Sequence, residues 1–215
     1  MRTSAYPSPA TDEQVRALLD RYECPVPFHQ VRARFLGYMA SPIMSASPIK
    51  VVQDLWGGKL PRLARNDEGE LMKALVIGLW NRLTRHQYRS SPFRLLRIES
   101  APTRAGLADL ALMRRQELDG FVAGLFGRND AIDLPEQAGR SLNELAEMRA
   151  AFVAVFDVVS DETRSATDRD METTVRHMRE MTKSAEHEMH AIVMACARAR
   201  KQMLAGVATR KPTVH

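Results

Sequence analysis

Residues 168–204 read DRDMETTVRHMREMTKSAEHEMHAIVMACARARKQML, and the spacing of their apolar side chains decides the fold class. Apolar or small residues recur at alternating intervals of four and three, which is the heptad pattern of a helical packing stripe. We name this stripe the methionine seam; its members are Met171, Val175, Met178, Thr182, Ala185, Met189, Ile192, Cys196, Ala199 and Met203. The pattern predicts one long C-terminal amphipathic helix, from about Asp168 to Leu204.

The methionine seam consists mostly of small or flexible side chains, so it would make a poor zipper by itself. A matching stripe lies in a predicted sixth helix that runs from Leu134 to about Val159; its members are Leu142, Leu145, Phe152, Val155 and Val159. Most amphipathic stripes face the core of their own chain, so we expect the long helix to fold back onto this one. The alternative is a homodimer formed through the C-terminal helix.

The rest of the chain also has helical spacing and no alternating pattern strong enough for a sheet. Helices are expected at about 11–22, 28–40, 47–56, 67–86 and 103–126, with a connector over 89–102 that contains a short extended piece near 95–98. The first begins at Thr11, where Gln14 completes a capping-box pattern. The sequence therefore predicts an all-α, multi-helix protein: a flexible arm (1–10), a helical domain (11–160), the long helix (161–205) and a basic tail (206–215).

Charge and cysteine content limit the classes of function. The net charge of +5 favours acidic partners without identifying nucleic acid. Only Cys24 and Cys196 are present, so we expect neither a disulfide framework nor a cysteine zinc site. The longest strongly apolar run, Ala74 to Trp80, is too short to cross a bilayer, and residues 1–9 lack the apolar stretch of a signal peptide. We therefore expect a cytoplasmic protein that does not bind membranes.

A cluster of arginines is the first candidate site. It consists of Arg82, Arg85, Arg89, Arg94 and Arg97, together with His86 and Arg104, and Arg114 and Arg115 are added as candidates from the next helix. Guanidinium groups bind phosphates and carboxylates, so the cluster predicts an anion-binding or partner-binding surface. The alternative is a solvated basic surface, which is what most charge runs form. Few aromatic residues accompany the cluster, so stacking on nucleic-acid bases is not supported.

A second candidate lies in the long helix, where Glu186, His187 and His190 are close in sequence. Carboxylate and imidazole groups three or four residues apart can bind a divalent metal. The segment lacks the H-E-x-x-H spacing of zinc proteases, and an exposed polar face of a helix is the more common explanation. No other cofactor is expected.

Glycines recur at 120, 124 and 127. Because no strand precedes them, they do not form a dinucleotide-binding loop, and small residues four apart are instead typical of close helix packing. No nucleophile elbow, P-loop or local Cys–His pair is present in the sequence, so no catalytic residue is predicted.

Several short motifs resemble those of the YecA/YgfB-like family of bacterial helical proteins. They occur in the family's order over residues 11–160, and they are Cys24-Pro25, Gln30-Val31, Phe35-Leu36, Trp56-Gly57, Trp80-Asn81 and the Gly120-Phe121-Val122-Ala123-Gly124 segment. The resemblance implies a helical fold of unsettled function. The chain departs from the family at Arg32-Ala33-Arg34, where a small residue is usual, and in lacking the cysteine-rich zinc tail of some members.

These observations favour a non-enzymatic interaction or regulatory protein that binds a protein or another acidic partner through the arginine cluster. A metal-binding helical protein and a nucleic-acid-binding regulator remain the alternatives.

Overall fold

A computed structural model describes residues 10–43, 47–163, 165 and 167–208. Within these ranges the chain forms helices and no β-strand, which confirms the predicted all-α class. The predicted arm falls almost wholly outside the described residues, as does the tail beyond residue 208. Among the described helices, none is both long enough and apolar enough to cross a membrane. Both cysteines are free.

The α-helices agree closely with the sequence prediction. They are α1 (Asp12–Arg21), α2 (Phe28–Ala40), α3 (Pro48–Gln53), α4 (Arg65–Met72), α5 (Asn81–Leu83), α6 (Arg104–Phe126), α7 (Glu136–Ser160) and α8 (Asp168–Ala208). The capping box is present at the start of α1: the Gln14 N–H donates to the Thr11 hydroxyl at 3.3 Å, and the Thr11 N–H donates to the Gln14 side chain at 2.9 Å. Helix α8 continues to Ala208, four residues beyond its expected end.

The predicted fourth helix is continuous but not uniform. Helix α4 passes into a π-helix over Lys73–Trp80, then into α5 and a 3₁₀ turn over Thr84–Gln87. Four leucines recur along it at intervals of four, and all are buried: Leu71, Leu75, Leu79 and Leu83. In a regular α-helix a four-residue step overshoots a full turn by about 40°, so this stripe would drift around the helix. The wider turns of the π-helix offset that drift and keep the leucines facing the core.

Helices α2 and α6 form the most extensive contact in the fold, because glycines let their backbones approach closely. A Cβ atom placed on Gly124 would lie 2.0 Å from the Arg34 carbonyl oxygen, and one on Gly120 would lie 2.6 Å from the Gln30 carbonyl oxygen. The reverse contact occurs at Gly37, whose added Cβ would lie 2.1 Å from the Phe121 carbonyl oxygen. The prediction of close helix packing is thus confirmed for Gly120 and Gly124.

The methionine seam packs inside the chain, as the first of its two interpretations predicts. Helix α8 packs against α7 and also contacts α6 and α2. The seam members from Val175 through Cys196 are buried, Met171 and Ala199 are half-buried, and Met203 at the end of the seam is 52% exposed. Near the end of α8, Arg200 donates to the carbonyl oxygens of Ala40 and Ser41 at 2.7 and 2.6 Å, which satisfies the free carbonyls at the end of α2.

Candidate functional site

The connector between the 3₁₀ turn and α6 is held by two buried carboxylates from different helices. The Leu95 N–H donates to Glu186 of α8 at 2.9 Å, and the Leu96 N–H donates to Glu117 of α6 at 2.8 Å. Successive N–H groups of an extended chain point to opposite sides, so adjacent residues can bond to two helices at once. The expected extended piece therefore exists without a strand partner, because carboxylates accept the hydrogen bonds that a neighbouring strand would accept.

Glu186 also organises two arginines of the cluster. Its carboxylate lies 2.7 Å from Arg94 Nη1 and 3.0 Å from Arg97 Nη2. The Glu186 side chain is only 1% exposed, whereas those of Arg94 and Arg97 are 58% and 62% exposed. A guanidinium has five N–H donors in a fixed fork, so the bonds to Glu186 leave other donors facing solvent. Glu186 therefore holds the two guanidinium groups on their buried side, and their other side stays accessible to solvent.

The second buried carboxylate, Glu117, is paired with Arg114, and both side chains are inaccessible to solvent. Arg114 also donates to the Thr182 hydroxyl at 3.1 Å and to the Leu96 carbonyl oxygen at 2.7 Å. Burial raises the pKa of Glu117, and the nearby Arg114 opposes that rise. The prediction that Arg114 belongs to the surface arginines was wrong: Arg114 lies on the buried face of α6, and its guanidinium links α6, α8 and the connector inside the protein.

The remaining predicted arginines have different surroundings. Arg82 is half-buried and bonds to Asp12 at 2.5 Å, which ties α1 to α5. Arg104 donates to the carbonyl oxygens of Val159 and Asp161, both at 3.1 Å, near the end of α7. Arg85 and Arg89 are exposed, as Arg94 and Arg97 are. We name Arg85, Arg89, Arg94 and Arg97 the basic face.

Two histidines lie beneath the basic face. His86 is buried, its Nδ1 lies 2.9 Å from the Ser91 carbonyl oxygen, and its ring meets that of Phe93 edge-on. Burial lowers the pKa of His86, and it also lowers the pKa of the half-buried His190. Both imidazoles therefore favour the neutral form close to the arginines, where a further positive charge would be repelled.

The structure does not bring the proposed metal ligands together. Glu186 points inward to Arg94, Arg97 and the connector, while His187 is exposed on another side of α8. Among the described residues, no group of three or more potential ligands is arranged to hold a metal ion. The lone pairs of Glu186 that a cation would need are already accepting hydrogen bonds.

Most of the residues that carry the family resemblance pack in the core or stabilise turns. Phe35, Leu36 and Phe121 are fully buried, and Trp80 meets Phe35 edge-on with ring centroids 5.6 Å apart. Trp56 donates its indole N–H to the Tyr22 carbonyl oxygen at 3.0 Å. Gly57 has a φ of 73°, a left-handed conformation that favours glycine and ends the 3₁₀ turn over Asp54–Trp56. Asn81 is exposed at the start of α5.

Glu117 was not predicted as a site residue, although the position of its partner Arg114 in the sequence points to it. Arg114 lies on the stripe of α6 that also carries Leu107, Leu110 and Leu118. A charged residue at a core position requires a buried partner of opposite charge, and the next turn of the helix offers Glu117. Glu186 could not be assigned in the same way, because its partners come from a connector about 90 residues away.

Comparisons of the chain with protein-family models, with curated proteins and with solved structures find no match. The resemblance to the YecA/YgfB-like family stays a prediction.

Proposed function

We propose that this chain is a non-enzymatic interaction protein that binds an acidic segment of a partner protein through the basic face. The observation that carries the proposal is the pairing of buried Glu186 with Arg94 and Arg97, whose side chains remain mostly exposed. Exposed arginines are usually mobile, and a partner must then restrict their rotamers on binding. Arginines already held from beneath lose less freedom, so they favour specific recognition.

The chemistry of the basic face matches carboxylates. Arg85 and Arg89 are exposed and form no ion pair with any described residue, so the basic face carries more positive charge than the one carboxylate of Glu186 balances. A guanidinium fork binds a carboxylate with two parallel hydrogen bonds, which gives geometric selectivity as well as attraction. An acidic peptide segment with two or more Asp or Glu side chains would complement this arrangement.

The test is a pull-down from lysate, run with and without nuclease treatment, with three immobilised proteins: the natural chain, R85A/R89A and the control R140A. Arg140 is also exposed, and it pairs with Glu136 on α7, away from the basic face. We expect a stoichiometric protein partner that R85A/R89A loses and R140A retains, and whose binding weakens as salt rises. Equal retention by all three proteins would contradict the proposal. Capture that disappears on nuclease treatment would favour a nucleic-acid-binding regulator instead.

A further inference from the structure

A cleft of about 370 Å³ lies between the connector, α6 and α8. Five cationic side chains contribute to its lining, against one carboxylate, that of Glu180. We name it the basic cleft; its cations are Arg97, Arg114, Arg176, Arg179 and Lys183. Such a volume is in the range of pockets that hold small molecules, roughly 300–1,000 Å³.

The cations of the basic cleft differ in whether they are already paired. Lys183 lies 2.8 Å from Glu180, and Arg97 bonds to Glu186. Arg176 and Arg179 are exposed, and neither side chain makes a hydrogen bond or ion pair with any described residue. Residues three apart lie on the same face of a helix, so these two guanidiniums project from neighbouring positions of α8. The cleft thus holds two arginines that form no ion pair with a described residue.

One wall of the basic cleft is rigid. Arg114 and Thr182 line it, both are buried, and their side chains are joined by a 3.1 Å hydrogen bond. Arg114 also bonds to Glu117 and to the Leu96 carbonyl oxygen, so the connector, α6 and α8 are fixed relative to one another at this point. A site bounded by such a network needs little rearrangement when a ligand enters.

We propose that the basic cleft binds the phosphate group of a small molecule. A phosphate monoester or pyrophosphate brings two or more negative charges and several acceptor oxygens into one small volume, which suits closely spaced arginine forks better than a single carboxylate does. Ile98 and Leu110 supply an apolar part of the lining for the rest of the ligand. No aromatic side chain lines the cleft among the described residues, so the lining offers no platform for stacking a nucleobase.

This site overlaps the proposed partner surface at one residue. Only Arg97 belongs to both, and Arg176 and Arg179 play no part in the basic face. Loss of one binding activity therefore does not imply loss of the other.

The experiment is isothermal titration calorimetry of the full chain with sodium pyrophosphate and, separately, with inorganic phosphate, at an ionic strength held constant with sodium chloride. The proteins are the natural chain, R176Q/R179Q and the control R169Q. Arg169 is an exposed arginine of the same helix that does not line the cleft. Melting followed by circular dichroism confirms that each variant is folded.

We expect saturable binding at one site, weakened at least about tenfold in R176Q/R179Q because two charge-assisted contacts are removed, and unchanged in R169Q. The absence of saturable binding of either probe would overturn the proposal. Equal affinity in the natural chain and R176Q/R179Q, or equal weakening in both variants, would also overturn it.

Discussion

The crossing of α2 and α6 predicts that alanine at Gly124 destabilises the protein, although alanine is the better helix former. The three atoms nearest to a Cβ atom there would all be backbone atoms: the Arg34 carbonyl oxygen at 2.0 Å, the Arg34 carbonyl carbon at 2.9 Å and the Tyr38 nitrogen at 2.9 Å. Backbone atoms of a packed helix cannot rotate away as a side chain can. The two helices must instead separate by about 1.4 Å to restore ordinary van der Waals contact at about 3.4 Å.

The expected magnitude is the difference between two effects. Replacing glycine by alanine within a helix gains up to about 1 kcal/mol, because the unfolded chain loses freedom. Forcing an extra methyl group into a packed interface costs about 1–3 kcal/mol and occasionally more, and contact with immobile backbone places Gly124→Ala at the upper end. We expect a net loss of about 2 kcal/mol, which corresponds to a fall in Tm of roughly 4–8 °C for a chain of this size.

The matched control is Gly139→Ala. Gly139 also lies within a helix, α7, and an added Cβ there would have no neighbour within 4 Å. We expect this variant to be more stable by up to about 1 kcal/mol, so the two substitutions should shift the midpoint of urea unfolding in opposite directions. If Gly124→Ala stabilised the protein as Gly139→Ala does, the close approach of α2 and α6 would be refuted.

Two further predictions concern the buried polar groups. Glu117→Ala should destabilise the fold by about 3–5 kcal/mol, because it leaves the buried Arg114 charge without its partner; urea unfolding measures this, and a loss below about 1 kcal/mol would contradict the buried pair. Stability should also depend on pH through His86, whose pKa burial lowers below the ordinary 6.5. Below pH 6.5 the unfolded state therefore binds more protons than the folded state. The contribution of neutral His86 to the free energy of unfolding is complete above pH 6.5 and is lost as the pH falls towards the folded-state pKa, by at most about 1.4 kcal/mol per pH unit. Tm measured at a series of pH values should therefore fall less on acidification in His86→Asn than in the natural chain. The same dependence of Tm on pH in both proteins would exclude this contribution.

The positions of the helices could be predicted from the sequence because the signals for them are local. The capping box at Thr11, the proline and glycine breaks, and the heptad spacing of the methionine seam each involve residues within a few turns of one another. Burial of four leucines at intervals of four could be anticipated in the same way. The π-helix that keeps them inward could not, because its hydrogen-bond pattern depends on what packs against it.

The candidate site was predicted only in part. The sequence placed Arg94 and Arg97 in a basic cluster, but it grouped Glu186 with His187 and His190, which are its neighbours along the helix. Spacing along α8 shows which residues share a face, and it does not show what that face meets.

The sequence by itself determined the all-α class, the helix boundaries to within a few residues and the need for the methionine seam to be covered, since these follow from local spacing and backbone preference. Only the tertiary structure decided that the connector runs between α6 and α8 and that buried carboxylates on those helices hold it. Those contacts join residues about 20 and about 90 positions apart. The physical reason is that a buried charge must find a partner of opposite charge in three dimensions, and the packing of the helices selects which one lies within reach.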